Sequence, residues 1–364
     1  MWRILTTIFI ASLLTANCLN ASKLQPGYNA KEYMELLSFQ LMQFHKQDSL
    51  YPDSLHYHNF KEVYKSPEMG LLNQWSLWIG ADSVAVISIR GTIANSTSWL
   101  ANFYAGMIPA KGQLILAPGD TFNYHFADDS KAAVHTGWTL ATAYLIRDML
   151  PHIDSCYKKG ITNFIVSGHS QGGAIAFLVT ACLYDYQKNN KVASDIRFKT
   201  YCSAAPKPGN LYFAYEYENM TRNGWAFNVV NSADWVPETP ITIQTTKDIN
   251  KTNPLVNAKA GIRKQKFPAN LFIMHIFNRL QKTPYKAMRQ YRKYLGGFAG
   301  KLVRKNLVNF QSPDYLNSSD YVRTGTTIVL LADKKYFDLF PDSKTKIFVH
   351  HFYEPYLYLA AKRL

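Results

Sequence analysis

The sequence predicts an α/β fold built on a mostly parallel central sheet with helices on its faces. Its 364 residues are 47% hydrophobic and 18% charged, which is typical of a globular chain with a sizeable core. Short apolar segments of strand type alternate with longer segments of helical periodicity, a pattern typical of βαβ units. The predicted strands are Ser83–Arg90, Asn163–Ser167, Phe198–Ala204 and Trp225–Val230, and the predicted helices are Lys31–Lys46, His135–Leu150 and Gly172–Tyr186.

The remaining segments are predicted from weaker patterns. Residues 93–103 have a loop-like composition with an exposed Trp99, a polar insertion continues to Ala132, and Pro151 is expected to end the helix before it. Further strands are expected at Thr326–Leu331 and Ile347–Val349. After a polar loop we expect helical structure at Phe267–Asn309, with Thr283 as a cap, Pro284 as a first residue and an interruption at Gly296-Gly297.

The amino terminus is typical of an export signal. Arg3 gives a positive start, Ile4–Leu14 is an apolar run too short to cross a bilayer, and a polar stretch ends at Ala21. We therefore expect a signal peptide at residues 1–21, one folded domain at residues 22–364, and a secreted or periplasmic protein. Two alternatives are a buried first helix and a lipoprotein in which Cys18, at the end of a loose lipobox, carries the lipid.

Three cysteines follow the predicted signal, Cys156, Cys182 and Cys202. Because three is an odd number, at least one thiol has no partner within the chain. Cys182 and Cys202 fall on a predicted helix and a predicted strand, so we expect them to be small core residues. No cysteine spacing suggests a metal site, and no metal or organic cofactor is implied.

The net charge of +15 is concentrated in one segment. Residues 245–310 contain fifteen Lys and Arg and a single acid, Asp248, so this segment carries +14. A charge block of this kind indicates a partner or a surface rather than a fold. We expect either contact with an anionic membrane surface or an ordinary solvated face. Nucleic-acid binding suits the charge but fits neither export nor the motifs described next.

A glycine-flanked serine is the most specific motif of the chain. Gly168-His169-Ser170-Gln171-Gly172 has the G-x-S-x-G form, with an apolar strand before it and small helix-forming residues after it. This nucleophile elbow places the serine on a strained turn, where side chains on its neighbours would collide, and at the amino end of a helix that can stabilise an oxyanion. The motif therefore predicts Ser170 as a nucleophile.

A serine nucleophile needs a base and an orienting carboxylate, which follow it in the order acid then histidine. The histidines after Ser170 are His275, His350 and His351. We favour His351, although loop position alone does not decide between it and His350. Asp234 follows a predicted strand and is the candidate acid, with Glu238 as the alternative. His135 precedes the serine and is expected to be a structural histidine near the elbow.

These blocks together resemble the class 3 lipase family, the fungal-lipase-like α/β-hydrolases. The resemblance covers about Ala30 to Val236 and the last forty residues. It implies an α/β-hydrolase fold, with a basic, partly helical insertion at residues 241–320 between acid and histidine. The matching blocks are Ile87–Thr92, the lid-like Trp99–Phe103, Val134–Trp138, the elbow, Ala204–Asn210 and Val229–Pro237.

Carried over by position, the resemblance implies Ser170 as nucleophile, Asp234 as acid and His351, with Tyr356 a few residues later, as base. The N–H groups of Thr92 and Gln171, with the Thr92 hydroxyl, would form the oxyanion hole, and Trp99, Leu100 and Phe103 are candidate lid residues. Gln171 departs from the leucine common in the family, and 117 residues separate the acid from the histidine. Because that insertion and the one between Phe103 and His135 are long, substrate specificity does not carry over.

The sequence thus predicts an exported serine carboxylester hydrolase, specifically a lipase acting on acylglycerol or other lipid esters. An esterase for soluble esters and a non-catalytic hydrolase-fold binding protein are the alternatives. A peptidase or an acyltransferase would use the same triad. The sequence does not specify the acyl chain length or the alcohol of the substrate, or the oligomeric state of the protein.

Overall fold

The structure, a computed structural model, describes residues 24–44 and 60–364, without the side chains of residues 42–44. The predicted signal peptide at residues 1–21 and the alternative role of Cys18 lie outside these residues. Within the two described ranges, no helix is both long enough and apolar enough to cross a membrane.

A seven-stranded sheet forms the centre of the fold. Its spatial order is β1-β2-β3-β8-β9-β10-β11; the first two pairs are antiparallel and the next four pairs are parallel. The expected mostly parallel sheet is therefore confirmed. These strands are β1 (Phe60–Lys65), β2 (Trp75–Gly80), β3 (Val84–Ile89), β8 (Asn163–His169), β9 (Arg197–Ser203), β10 (Ala226–Asn231) and β11 (Thr326–Leu330). Smaller antiparallel pairs join β4 (Met107–Pro109) to β7 (Ala133–His135), and β5 (Lys111–Ala117) to β6 (Asp120–His125).

Helices cover both faces of this sheet, as predicted. Alternate side chains of β3 enter two cores: Ala85, Ile87 and Ile89 pack with one group of helices, and Val84 and Val86 with another. The first group contains α3 (Thr136–Lys158) and α4 (Gln171–Lys188), and the second contains α1 (Ala30–Phe44) and α10 (Tyr353–Ala361). The other helices are α2 (Ser96–Phe103), α5 (Leu211–Met220), α6 (Ala258–Arg263), α7 (Ala269–Tyr291), α8 (Ala299–Asn306) and α9 (Lys334–Leu339).

The two segments before α3 are more regular than predicted. The expected loop at residues 93–103 contains α2, because the Asn95 side chain accepts a hydrogen bond from the Thr97 N–H and caps the helix. The insertion read as polar forms β4, β5 and β6, and its Leu114, Leu116 and Phe122 enter the main core. In β6 Phe122 alternates with polar residues, but this alternation is too short to have predicted a strand by itself.

Two prolines lie inside helices instead of at their ends. The prediction that Pro151 ends the long helix was wrong, because Met149 and Ile153 are buried on either side of it and hold α3 against the core. Pro284 is likewise inside α7, and Thr283 does not cap a helix but donates its hydroxyl to the Arg279 carbonyl at 3.4 Å. In both cases the helix continues through the proline, although a proline removes one backbone hydrogen bond and usually ends or kinks a helix.

The carboxyl-terminal region differs at one more place. The strand expected at Ile347–Val349 is a turn, which carries His350 and His351 toward the sheet. The glycine pair at Gly296-Gly297 does not break the helical region; it lies in a π-helical turn, Arg292–Phe298, between α7 and α8. The basic insertion is thus helical over most of its length, as predicted.

Polar bonds fix α1 against β8 and β9. The buried Lys199 ammonium forms an ion pair with Glu32 at 2.6 Å, and Gln40 donates to the Ser167 hydroxyl at 2.9 Å. The Tyr33 hydroxyl lies 2.7 Å from the Ser203 hydroxyl. Because these partners are buried, they define one position of α1 along the sheet.

The three cysteines of the described ranges are buried thiols without a disulfide. Burial raises the pKa of Cys182 to about 12 and that of Cys202 well above its usual value. They behave as the small core residues that the sequence predicted.

Candidate active site

Ser170 lies on a strained turn between β8 and α4. Its φ of 60° and ψ of −128° are left-handed, and its N–H donates to the Ser203 carbonyl at 2.9 Å. It is also the residue before the first turn of α4, so the free N–H groups of that helix point toward its side chain. The geometry is that of a nucleophile elbow.

The glycines around Ser170 are required by close backbone contacts. A Cβ on Gly168 would lie 2.2 Å from the Gly172 carbonyl carbon, and a Cβ on Gly172 would lie 2.2 Å from the Ile89 carbonyl oxygen. Gly173 approaches the Ser203 carbonyl oxygen, and its Cβ would lie 2.9 Å away. The turn, the helix start and the two flanking strands therefore occupy a space that only glycine leaves open.

Asp234 and His351 form a buried pair beside the elbow. His351 Nδ1 lies 2.7 Å from Asp234 Oδ2, and the same oxygen accepts the Tyr356 hydroxyl at 2.8 Å. The other oxygen, Oδ1, accepts the Val236 N–H at 3.0 Å. The Tyr356 hydroxyl and the Val236 N–H both donate to this buried carboxylate, so Asp234 acts as an acceptor toward His351 as well. His351 Nδ1 is then the donor, which leaves Nε2 unprotonated and able to take a proton.

The structure distinguishes the two adjacent histidines that the sequence left open. His350 points away from Asp234: its Nδ1 lies 2.8 Å from the Tyr336 hydroxyl and its Nε2 lies 3.0 Å from Asp342. His275 is exposed on α7, and Glu238, the alternative acid, is exposed beyond the strand end. Only His351 contacts Asp234 among these candidates.

His169, the residue before Ser170, is a buried contact that the sequence analysis did not single out. Its Nε2 lies 2.7 Å from the His351 carbonyl oxygen and its Nδ1 lies 3.0 Å from the Ser203 hydroxyl. Burial holds the pKa of His169 well below its usual value. Its position within the elbow motif was visible in the sequence, but its partners become apparent only from the fold.

Gln171, on the other side of Ser170, stands where leucine is common in the class 3 lipase family, and its side chain takes part in a polar network. The Thr92 hydroxyl donates to the Gln171 side-chain oxygen at 2.7 Å and accepts from the Asn102 amide at 2.9 Å. The Gln171 amide in turn reaches Asn73 at 3.3 Å. In this structure the single hydrogen of the Thr92 hydroxyl is donated to Gln171, so the hydroxyl would have to turn away from Gln171 to act as the additional oxyanion donor that we expected. The backbone N–H groups of Thr92 and Gln171 remain the candidates.

Ser170 and His351 line one large cavity of about 860 Å³. Its wall is mainly aromatic and aliphatic, and the basic insertion contributes to it at the end of α7 and in the π-helical turn. A cavity of this size and composition suits an apolar ligand with a long chain. The aromatic residues of the wall include Trp99, Phe103, Trp235, Tyr291, Tyr294 and Phe348.

The three candidate lid residues occupy different environments. Trp99 is half-buried and lies 6.0 Å from Phe348 between ring centroids, whereas Phe103 is 57% exposed at the cavity edge. Leu100 is buried in the main core. Trp99 and Phe103 therefore face the cavity from α2, while Leu100 anchors this helix beneath them.

His135 is a structural histidine, as expected. It is fully buried at the start of α3, accepts the Trp138 N–H at its Nδ1, and lies with its Nε2 3.1 Å from the Asn102 carbonyl. Burial lowers the pKa of His135 to about 3. Since Asn102 also bonds Thr92, His135 supports the loop that carries a candidate oxyanion donor.

Residues 86–244 match the family Lipase (class 3). The match begins in β3, contains the elbow and Asp234, and ends before the basic helices. The resemblance predicted from the sequence blocks is confirmed over this class 3 lipase segment, whereas His351 lies beyond it.

Proteins of known type are similar to part of this chain. The secreted mono- and diacylglycerol lipase 1 of Fusarium solani is 28% identical over 156 residues, which are 43% of this chain and 39% of that protein. The match thus spans about two fifths of the relative. Lipase II from Rhizopus niveus is 18% identical with a TM-score of 0.43, covering 58% of this chain and 75% of that one. For Rhizomucor miehei lipase in a propeptide complex, the identity is 18%, the TM-score 0.42 and the coverage 60% and 66%.

The close contact at Gly172 predicts that Gly172→Ala severely damages the elbow. The added Cβ would lie 2.2 Å from the Ile89 carbonyl oxygen, so we expect the free energy of unfolding to fall by about 3 kcal/mol or more. Gly261→Ala is the matched control, since nothing lies within 4 Å of its added Cβ in α6. It should be neutral or stabilise by up to about 1 kcal/mol. Urea unfolding of both variants measures the difference, and equal stabilities would contradict the prediction.

The lowered pKa of His135 predicts a loss of stability in acid. Between its ordinary pKa of about 6.5 and the folded value of about 3, only the unfolded chain binds the proton, so stability falls as the pH falls. This group contributes a slope of up to about 1.4 kcal/mol per pH unit. Urea unfolding at several pH values should give a slope that is smaller by about this amount in His135→Asn. The Gly261→Ala variant, which removes no titratable group, should keep the wild-type slope, and an unchanged slope in His135→Asn would disprove the assignment.

Proposed function

We propose that the protein is an exported serine carboxylester hydrolase, a lipase that acts on acylglycerol or other lipid esters. One observation carries this proposal: the buried Asp234–His351 pair and the strained Ser170 meet at one apolar cavity. A nucleophile, a base and an orienting carboxylate are the components of acyl transfer by a serine hydrolase. The family match to class 3 lipases supports the same reaction.

In the proposed mechanism, His351 Nε2 takes the proton of the Ser170 hydroxyl as Oγ attacks the ester carbonyl carbon. Asp234 holds the imidazole orientation and stabilises its charge. The N–H groups of Thr92 and Gln171 stabilise the oxyanion, and losing one such donor costs about 3–4 kcal/mol. His351 then protonates the leaving alcohol, and a water molecule activated by the same base releases the acid from the acyl-enzyme.

The lipid character of the substrate rests on the cavity and on the relatives. A mainly apolar space of about 860 Å³ provides room for a long acyl chain beside Ser170. The Fusarium solani relative is described as a secreted mono- and diacylglycerol lipase, which supports both the substrate class and export. The proposal includes cleavage after residue 21 and a single domain from residue 22 to residue 364.

Covalent labelling tests the catalytic assignment. A fluorophosphonate probe should label the purified chain, and Ser170→Ala should abolish labelling because the attacking oxygen is gone. Asp234→Asn should lower kcat on a soluble ester by about 10⁴-fold, since the base loses its required orientation. The free energy of unfolding of both variants should stay within about 2 kcal/mol of the wild-type value.

Two results would redirect this proposal. A folded wild-type chain that no probe labels would favour a non-catalytic binding protein. If the chain is labelled, a series of p-nitrophenyl esters of increasing acyl length, measured below and above micelle formation, separates lipase from esterase. We expect the rate to rise with acyl length and on micelle formation, whereas a preference for short soluble esters would support an esterase.

The basic insertion is proposed to contact an anionic lipid surface. Along α7 the side chains of Phe272, Ile276 and Leu280 recur every four residues and are 68%, 41% and 69% exposed. At helical spacing, the exposed cations Arg279, Lys282 and Lys286 lie on the side next to this apolar stripe. A helix with an exposed apolar face bordered by Lys and Arg is typical of binding in the interface of an anionic bilayer.

Vesicle binding tests this contact. Each Lys or Arg near an anionic surface contributes around 1 kcal/mol, so reversing two charges in Lys282→Glu/Lys286→Glu should weaken binding to vesicles containing phosphatidylserine by at least about tenfold. Lys61→Glu/Lys65→Glu on the edge strand β1 changes the net charge equally and should have little effect. Hydrolysis of a short soluble ester should be unchanged in both. Binding that is insensitive to anionic lipid and to high salt would eliminate the membrane contact.

A further inference from the structure

We propose that His169 is a positioning residue, which fixes the backbone of His351 so that its ring faces both Asp234 and Ser170. This inference rests on the proposed function of the same site. It concerns the residue inside the elbow motif that takes no part in the proton transfer itself. It also assigns a role to Tyr33 on α1, which sets the orientation of the His169 ring through Ser203.

The contact joins two parts of the active site that are distant in sequence. His169 ends β8, next to Ser170, and its Nε2 lies 2.7 Å from the carbonyl oxygen of His351. Both residues are buried, with 4% and 7% of their surface exposed. The side chain before the nucleophile thus holds the main chain of the base, so a displacement of either residue is transmitted to the other.

The direction of each hydrogen bond that links Tyr33, Ser203, His169 and the His351 carbonyl follows by elimination. A carbonyl oxygen only accepts, so His169 Nε2 must carry the hydrogen that it shares with His351. In the neutral ring Nδ1 then has no hydrogen, and the Ser203 hydroxyl must donate to it at 3.0 Å. Having spent its one hydrogen, Ser203 accepts at 2.7 Å from the Tyr33 hydroxyl. Tyr33, Ser203 and His169 therefore form a one-way chain from α1 to the His351 carbonyl.

The loop that carries His351 needs such a hold because it has no strand or helix of its own. It is a turn between α9 and α10. Trp235 donates to its Ile347 carbonyl at 2.7 Å, and two successive carbonyl oxygens at the base are held as well. The Asn231 side chain donates to the His350 carbonyl at 3.0 Å, and His169 donates to the next one. Loops position catalytic groups less exactly than regular elements do, and an error of about 1 Å can reduce the rate about 100-fold.

The neutral state of His169 fits this role. The ring centroids of His169 and His351 are 5.0 Å apart, and His351 becomes charged during the proposed reaction. A second positive charge at that distance would oppose this step. Burial, together with the neighbouring His351, keeps the pKa of His169 well below its usual value, so it remains a neutral donor.

Two substitutions separate the two contacts of His169. In His169→Gln the amide nitrogen stands at the ε position and can still donate to the His351 carbonyl. In His169→Asn the amide stands at the δ position, so it reaches Ser203 but not that carbonyl. On p-nitrophenyl butyrate we expect His169→Asn to lower kcat about 10- to 100-fold with little change in KM. His169→Gln should remain within about fivefold of the wild type, and fluorophosphonate inactivation rates should follow the same order.

Tyr33→Phe supplies a second, independent test. It removes the hydroxyl that orients Ser203, and we expect kcat to fall about two- to fivefold. The same substitution should have no further effect in the His169→Gln background, where the chain is already broken at Nδ1. If His169→Asn does not fold, the test rests on Tyr33→Phe, His169→Gln and the double variant that combines them.

Stability and activity distinguish the outcomes. All variants are compared at equal concentrations of probe-labelled sites, with urea unfolding as the measure of structure. Equal kcat values for His169→Gln and His169→Asn, or additive effects of Tyr33→Phe, would overturn the positioning role. A wild-type chain that neither reacts with the probe nor hydrolyses the ester would instead contradict the proposed function.

Discussion

The left-handed backbone of Ser170 is the constraint around which the candidate site is arranged. A serine at φ 60° is unfavourable, and it is maintained because the N–H bonds the Ser203 carbonyl and α4 is packed immediately after it. The approach of Gly172 to Ile89 links that turn to β3 as well. Three neighbouring strands thus hold one strained residue, and the strain keeps its side chain at the edge of the sheet instead of within the helix.

Parallel register explains why the other candidate groups gather at the same edge. Ile89 is paired with Gly168, His169 with Ser203, and Ser203 with Val229, so these strands end at nearly one level. Thr92, Ser170 and Asp234 follow three of these strand ends, and carboxyl ends of parallel strands are where open α/β sheets bind ligands. This register brings the acid to the same edge as the strained turn that carries the nucleophile. It does not place the base, because His351 comes from a turn after the sheet is complete.

This difference explains how much of the site was predictable from the sequence. Short local patterns at strand ends identify Ser170 and Asp234 as candidates. In the structure Ser170 lines the cavity, and Asp234 lies beside it in contact with His351. The choice between His350 and His351 depends on which ring faces Asp234, and only the packing of α10 and Tyr356 decides that. Pro151 misled the helix boundary for the same reason, because the burial of Met149 and Ile153 on either side of it is a tertiary effect. Pro284 also lies inside its helix, where Met288, on its carboxyl side, is the buried residue.

The basic insertion is joined to the cavity by a backbone contact that two glycines permit. The Gly106 N–H donates to the Leu295 carbonyl at 3.0 Å, and a Cβ on Gly106 would lie 2.7 Å from the Gly296 Cα. The π-helical turn of residues 292–298 is therefore fixed against the strand region before α3, and Tyr294 and Leu295 within it line the cavity. Since α7 continues directly into this turn, its exposed apolar and basic face and the wall beside Ser170 lie on one continuous helical segment. If α7 binds a lipid surface as proposed, the segment that meets the lipid is therefore the one that also forms part of the cavity wall.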